Sequence, residues 1–189
     1  MKHKAALKLI EDKLPTKRYE HSVRVAETAV EMAGIFGANR DKCYLAGILH
    51  DYSKYDDLGS MYQYVTKYNL DPALLAFNSE LLHGPVAATI MRFEHGLKDE
   101  DIYYAIANHT SGRPQMLLVE KIIYVADYIE PERDQPGVED IRELVFGEKN
   151  LDLAIYEITR MTLKHLLKKN RPIYNRTIEC YNYYNMVKE

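Results

Sequence analysis

Cysteine is scarce: only Cys43 and Cys180 occur in 189 residues, too few for a disulfide framework. Two free thiols in a reduced, cytoplasmic protein is the expectation that follows. The chain opens Met1-Lys2-His3-Lys4 with no apolar run of the signal-peptide kind. No stretch approaches the roughly 20 apolar residues of a membrane span, so no membrane partner is expected. Charge of one sign is also lacking, because the formal net charge is −3. That balance argues against general binding to nucleic acid or to an acidic membrane, and a polyanionic substrate would need its cations gathered locally. Alternating apolar–polar stretches of useful length, internal repeats and linker-like composition are absent too. Pro and Gly sit singly between segments.

What is there is helical periodicity, and the fold class expected is all-α, a helical bundle in a single domain. Ala5 to Lys13 is amphipathic and stops at Pro15. A longer helix starts near Thr16, a residue able to cap backbone amides. It carries Val23, Ala26, Val30 and Ala33 on one stripe and Val25, Ala29 and Met32 on another, so most of its circumference should be buried. Gly37 is placed to end it. Asp41 to about Asp51 forms a third helix. Tyr52 to Asn78 is more polar, with short helical pieces. His83 to His95 reads as a helix with Pro85 in its first turn and Gly96 beyond its end. Asp99 to His109, Gln115 to Ile129, Val138 to Phe146, Leu151 to Lys169 and Tyr174 to Lys188 complete the set. The sixteen tyrosines follow the helical spacing and read mostly as core or rim packing.

His50-Asp51 alone is weak, since seven histidines make such a dipeptide easy to meet by chance. Its company raises its value. His21 lies early in the long helix, His83 opens another, His109 ends another, and Asp127 sits inside the apolar run LLVEKIIYVADYI. A carboxylate there is costly unless paired or bound to a metal. Pairing with Lys121, Lys54 or an arginine is one reading of Asp127, and metal ligation is the other. Imidazole and carboxylate donors suit a divalent cation such as iron, manganese, nickel, cobalt or zinc. A cation so held acidifies water and polarises a phosphoryl oxygen.

The order His21 … His50-Asp51 … Asp127, with GILHDYSK placing Lys54 three residues after Asp51, resembles the HD-domain metal-dependent phosphohydrolases. The segments His83-Gly84-Pro85, His109-Thr110-Ser111-Gly112-Arg113-Pro114 and VADYIEPER are similar to a narrower group, the bacterial symmetrical bis(5′-nucleosyl)-tetraphosphatases. The resemblance runs from His21 to about Asn175. It implies hydrolysis of dinucleoside tetraphosphates, diadenosine tetraphosphate above all, into two nucleoside diphosphates, with ADP as product. It implies iron as the metal and His21, His50, Asp51 and Asp127 as its ligands. It implies one HD domain over 1–189, with a core at about 16–130 and C-terminal helices at 138–189 packing on it and closing the nucleotide pocket.

A tetraphosphate bridge needs several donors. Arg24 follows His21 by three residues, so both face nearly the same way. Lys54 reaches the same pocket. His83 and His109 could bind phosphate oxygens, or one could act as general acid, which groups Asp51, Lys54, His83 and His109 as catalytic candidates. Thr110 adds a hydroxyl and Arg133 a bidentate guanidinium. The segment Asn170-Arg171-Pro172-Ile173-Tyr174-Asn175 reads either as a plain turn between helices or as a contact for base or ribose; the resemblance tilts it to the latter. Arg113 and Arg142 read as surface residues, and His3, His95 and His165 as structural or exposed. Two alternatives stand beside the one-metal hydrolase. One is a dinuclear phosphodiesterase or nucleotidase, with His83 and His109 on a second ion. The other is a non-catalytic nucleotide sensor. The tyrosine-rich surface could support a homodimer.

Overall fold

The computed structural model describes residues 1–188; residue 189, the last of the expected domain, lies outside the described residues. Among the described residues there are ten α-helices and no strand: α1 (His3–Glu11), α2 (Thr16–Phe36), α3 (Arg40–Leu49), α4 (Leu58–Lys67), α5 (Ser79–Phe93), α6 (Glu100–Asn108), α7 (Leu118–Ile129), α8 (Val138–Arg142), α9 (Leu151–Lys168) and α10 (Asn175–Val187). A 3-10 turn (Pro72–Ala76) follows α4, and a π turn (Glu143–Gly147) follows α8. Among the described residues no helix is long and apolar enough to cross a membrane.

α7 is the central rod. It packs against α2, α3, α6 and α9, and Ile122, Ile123, Val125 and Ala126 are fully buried. Each such aliphatic side chain removed from water favours the folded state by about 1.5–3 kcal/mol. α2 presents Val25, Ala26, Ala29, Met32 and Ala33 to this core, while Val23 and Val30 stay half-buried. Gly37 ends α2 in the left-handed region, at φ 75°, where a side chain would be strained.

Two close approaches set the width of the bundle. A Cβ at Gly47 of α3 would lie 2.6 Å from the Ala26 Cα of α2. A Cβ at Gly84 of α5 would lie 3.0 Å from the Ile106 carbonyl oxygen of α6. Glycine lets each backbone reach its neighbour, and each approach stands beside a histidine, His50 and His83.

One helix cap and two helix starts differ from the sequence reading, while α2 begins at Thr16 as expected. Pro15 takes the N-cap position of α2, so Thr16 is the first helical residue and caps nothing. α5 starts at Ser79, a turn before His83, which puts Pro85 in the helix interior. An interior proline leaves the carbonyl four residues back without its amide partner. That carbonyl, on Leu81, accepts the Thr110 hydroxyl at 3.4 Å instead. α7 starts at Leu118 rather than Gln115, because Gln115 takes φ 53° and Glu120 caps the helix through the Leu117 amide.

Candidate metal centre

Five elements bring their polar residues to one end of the bundle. His21 comes from the second turn of α2. His50 and Asp51 follow the end of α3, His83 lies in α5, His109 follows α6, and Asp127 lies in the last turn of α7. The α2–α3 contact at Gly47 draws the first two groups together. His21 Nε2 lies 3.0 Å from Asp127 Oδ1 and 3.6 Å from Asp51 Oδ2. His50 Nε2 lies 3.2 Å from Asp51 Oδ2 and 3.8 Å from Asp127 Oδ1.

The imidazole tautomers follow from the far side of each ring. His21 Nδ1 faces the Glu130 carboxylate at 3.1 Å. His50 Nδ1 faces the Gly47 carbonyl at 2.7 Å. Both partners only accept, so both Nδ1 atoms carry the proton. The buried Nε2 atoms of His21 and His50 then have no hydrogen-bond partner. In the neutral rings, two nitrogen lone pairs face two carboxylate oxygens. Acceptors facing acceptors in a buried place repel unless a cation stands among them, and N/O donors of this kind suit a divalent one. His21, His50 and Asp127 form a set that could hold a metal, and His50, Asp51 and His109 form a second that shares His50.

Charge calls for a cation as well: burial works to lower the His50 imidazole, but the charge of Asp51 outweighs it and raises the group. Burial works to raise the Asp51 carboxyl, but His50 and hydrogen bonds with His109 and His83 outweigh it and hold the group well below the usual carboxylate range. For Asp127, burial is again outweighed, here by His21, His50 and Arg133. The sequence left Asp127 either paired or ligating; the paired partner is Arg133, whose Nη2 donates at 2.9 Å. Lys121 pairs with Asp152 and Lys54 with Glu80.

His83 and His109 face the other oxygen of Asp51, at 3.0 and 3.7 Å from Oδ1. Their Nδ1 atoms face the carbonyls of Ser79 and Ile106. Their Nε2 atoms are 2.9 Å apart, so a shared proton or a second cation belongs between them. Burial, reinforced by the charges of His50 and His83, pulls His109 down to about 4, which leaves it neutral near pH 7.

Asp51, His83, His109 and Asp127 line a polar cavity of about 400 Å³ whose rim includes Lys54, Thr110 and Arg133; His21 and His50 are not on its lining. Arg24 is not on its lining: its guanidinium pairs with Glu130 and Glu132. Beside it lies an apolar cavity of about 610 Å³, which shares Glu80, Thr110 and Thr162 with the first. Arg171, Pro172 and Tyr174 line it, together with Phe77 and Leu166; Asn170, Ile173 and Asn175 do not. The Tyr174 hydroxyl donates to Asp71 at 2.5 Å.

Several site residues escaped the sequence reading. Arg18 donates to Asp51 Oδ2 at 2.8 Å and lines the polar cavity. It precedes His21 by the same three residues by which Arg24 follows it, so helical spacing pointed to both. Glu80 bridges the two cavities and holds Lys54 at 2.7 Å. His165, read as structural or exposed, is exposed and lines the apolar cavity. Two arginines read as surface residues are structural anchors. Arg113 pairs through Nε with buried Glu120 at 2.8 Å. Arg142 donates to the carbonyls of Ile129, Glu130 and Arg133 and pins the turn that carries Arg133.

An all-helical bundle that sets a His/His-Asp/Asp cluster beside lysine and arginine defines a metal-dependent hydrolase of the HD type. Residues 18–132 match the HD domain, and the chain belongs to that family. It is 53% identical to the symmetrical bis(5′-nucleosyl)-tetraphosphatase of Staphylococcus aureus, over 95% of this chain and 93% of that protein. It is 43% identical to the enzyme of the same name from Bacillus subtilis, over 97% of each. The solved structure of an HD superfamily hydrolase from Clostridium acetobutylicum, described as involved in NAD metabolism, superposes with a TM-score of 0.92 at 34% identity. That match covers 99% of this chain and 98% of the other.

Proposed function

We propose that this chain hydrolyses dinucleoside tetraphosphates symmetrically, so that diadenosine tetraphosphate yields two ADP. The observation that carries the reading is the convergence of two unpartnered buried imidazole nitrogens and two carboxylates at a polar cavity that adjoins one of apolar and aromatic lining. Relatives that bear the name of this activity match nearly the whole length.

In this reading His21, His50, Asp51 and Asp127 hold one divalent metal. Iron is the ion proposed, and manganese, nickel, cobalt or zinc suit the same donors. When bound, such an ion draws charge from a phosphoryl oxygen and acidifies water. Arg18, Lys54 and Arg133 offer positive charge to the phosphate bridge, with Lys54 exchanging Glu80 for a phosphate oxygen. His83 and His109 point their Nε2 atoms into the cavity, where the pair delivers a proton to the departing nucleoside diphosphate. Phe77 and Tyr174 offer ring faces or edges to a base, with Arg171 and Pro172 beside them. The core at about 16–130 thus supplies the metal centre, and the C-terminal helices α8 to α10 close the nucleoside side. A cytoplasmic setting suits both a nucleotide substrate and two free thiols.

The deciding experiment is product analysis with diadenosine tetraphosphate and an added divalent metal. Two ADP as the products support the reading. ATP plus AMP, or binding without cleavage as in a sensor, overturns it. A dinuclear site is the second reading, favoured by the 2.9 Å His83–His109 approach and by the two faces of Asp51. Metal content near one ion per chain or near two decides between them.

A further inference from the structure

We infer that Glu130 is the positioning residue of the metal centre: its buried carboxylate holds His21 in the tautomer and orientation that turn Nε2 towards the cation. The inference rests on the reading of His21 as a ligand.

Glu130 follows α7 by one residue and is 2% exposed. A carboxylate removed from water is costly unless its oxygens are matched by donors. Glu130 is matched. It accepts from His21 Nδ1 at 3.1 Å, from Arg24 Nε at 2.7 Å and from the Glu132 amide at 2.9 Å, with Arg24 Nη2 at 3.5 Å. Arg133 Nε lies 3.8 Å away.

His21 differs here from the other three site histidines. His50, His83 and His109 each anchor Nδ1 on a carbonyl three or four residues back in their own helices. Those rings take their Nδ1 partner from local backbone. His21 instead depends on a charged side chain 109 residues away in sequence. A carboxylate on the far nitrogen fixes the ring and makes it a more basic ligand. The same carboxylate draws in Arg24 and belongs to the turn, pinned by Arg142, that carries Arg133. One acid thereby ties a ligand on α2 to the cation-bearing turn after α7.

The test titrates Co(II) against a competing chelator, following the visible absorption of the bound ion, in the wild type and in His21→Ala, Glu130→Ala and Glu130→Gln. Circular dichroism and thermal melting run alongside to report the fold. Glu130→Ala is expected to weaken Co(II) binding about 10–100-fold with helix content retained. Glu130→Gln keeps an oxygen that accepts from Nδ1 but carries no charge, so it is expected to recover the greater part of that loss. If Glu130 were only an ion-pair partner for Arg24, Gln would be as damaging as Ala, and that result overturns the inference. So does wild-type affinity in folded Glu130→Ala. Should Glu130→Ala fail to fold, Glu130→Met keeps the volume, removes the acceptor and takes its place in the same comparison. Loss of affinity in His21→Ala without loss in the Glu130 variants overturns positioning alone. Unchanged affinity in His21→Ala overturns the ligand reading, and positioning with it.

Discussion

The two cavities share a wall yet are built on opposite terms. The polar one gathers side chains in or just past the ends of helices, and each histidine of its cluster is anchored at Nδ1 by a carbonyl or a carboxylate. The apolar one is bounded by the 3-10 turn, the segment between α9 and α10, and half-exposed side chains from α4 and α9. Its firmest tie is a single hydrogen bond, from Tyr174 to Asp71. A site that gathers charge needs prepayment in rigid geometry, because misplacing a buried charge costs several kcal/mol. A site that receives a flat aromatic group tolerates adjustment, because apolar contact is non-directional.

Four substitutions test this contrast. The largest effect belongs to the polar floor. Asp127→Ala, or Asp51→Ala, should lower kcat by about 1,000-fold or more, some 4 kcal/mol of barrier, while circular dichroism shows the helices intact. Full activity with metal still bound would break the assignment. Arg133→Ala comes next, at the rim. Losing a charged donor to phosphate should raise KM with a cost of about 1.5–3 kcal/mol in kcat/KM. An unchanged KM and rate would remove Arg133 from the site. The smallest effect is expected on the apolar side. Tyr174→Phe removes the hydroxyl bonded to Asp71 and keeps the ring, so KM should rise by a factor worth about 1 kcal/mol while kcat holds. A fall in kcat approaching that of Asp127→Ala would show that the two cavities are not built differently after all.

The same division decides how much could be read from the sequence. Only histidine, aspartate and a few cations can do the work of the polar floor, so His21, His50, Asp51, His83, His109 and Asp127 stood out. Buried acids and imidazoles are conspicuous in apolar helices. The apolar cavity draws on leucine, phenylalanine and tyrosine, which line any core, so Phe77 and Leu166 carried no mark. Roles that depend on a distant backbone were equally hidden. Arg142 looks like a solvated arginine until the carbonyls of Ile129, Glu130 and Arg133 are seen around it. Pro85 looked like a helix start because nothing local showed that the Thr110 hydroxyl would take over the Leu81 carbonyl. The periodicity placed every long helix, and its errors fall at ends, where a left-handed Gln115 or a proline at the cap outweighs propensity.

The close approaches at Gly47 and Gly84 bear on how such a chain is judged intact. A variant could keep every histidine, acid and cation of the site and still lose it through one added methyl group, since at position 47 that group would have to share space with the Ala26 backbone. Inspection of the reactive residues would pass such a chain without complaint. The dimension that matters is the gap between two helix axes, and it is recorded in the sequence as a side chain that is missing.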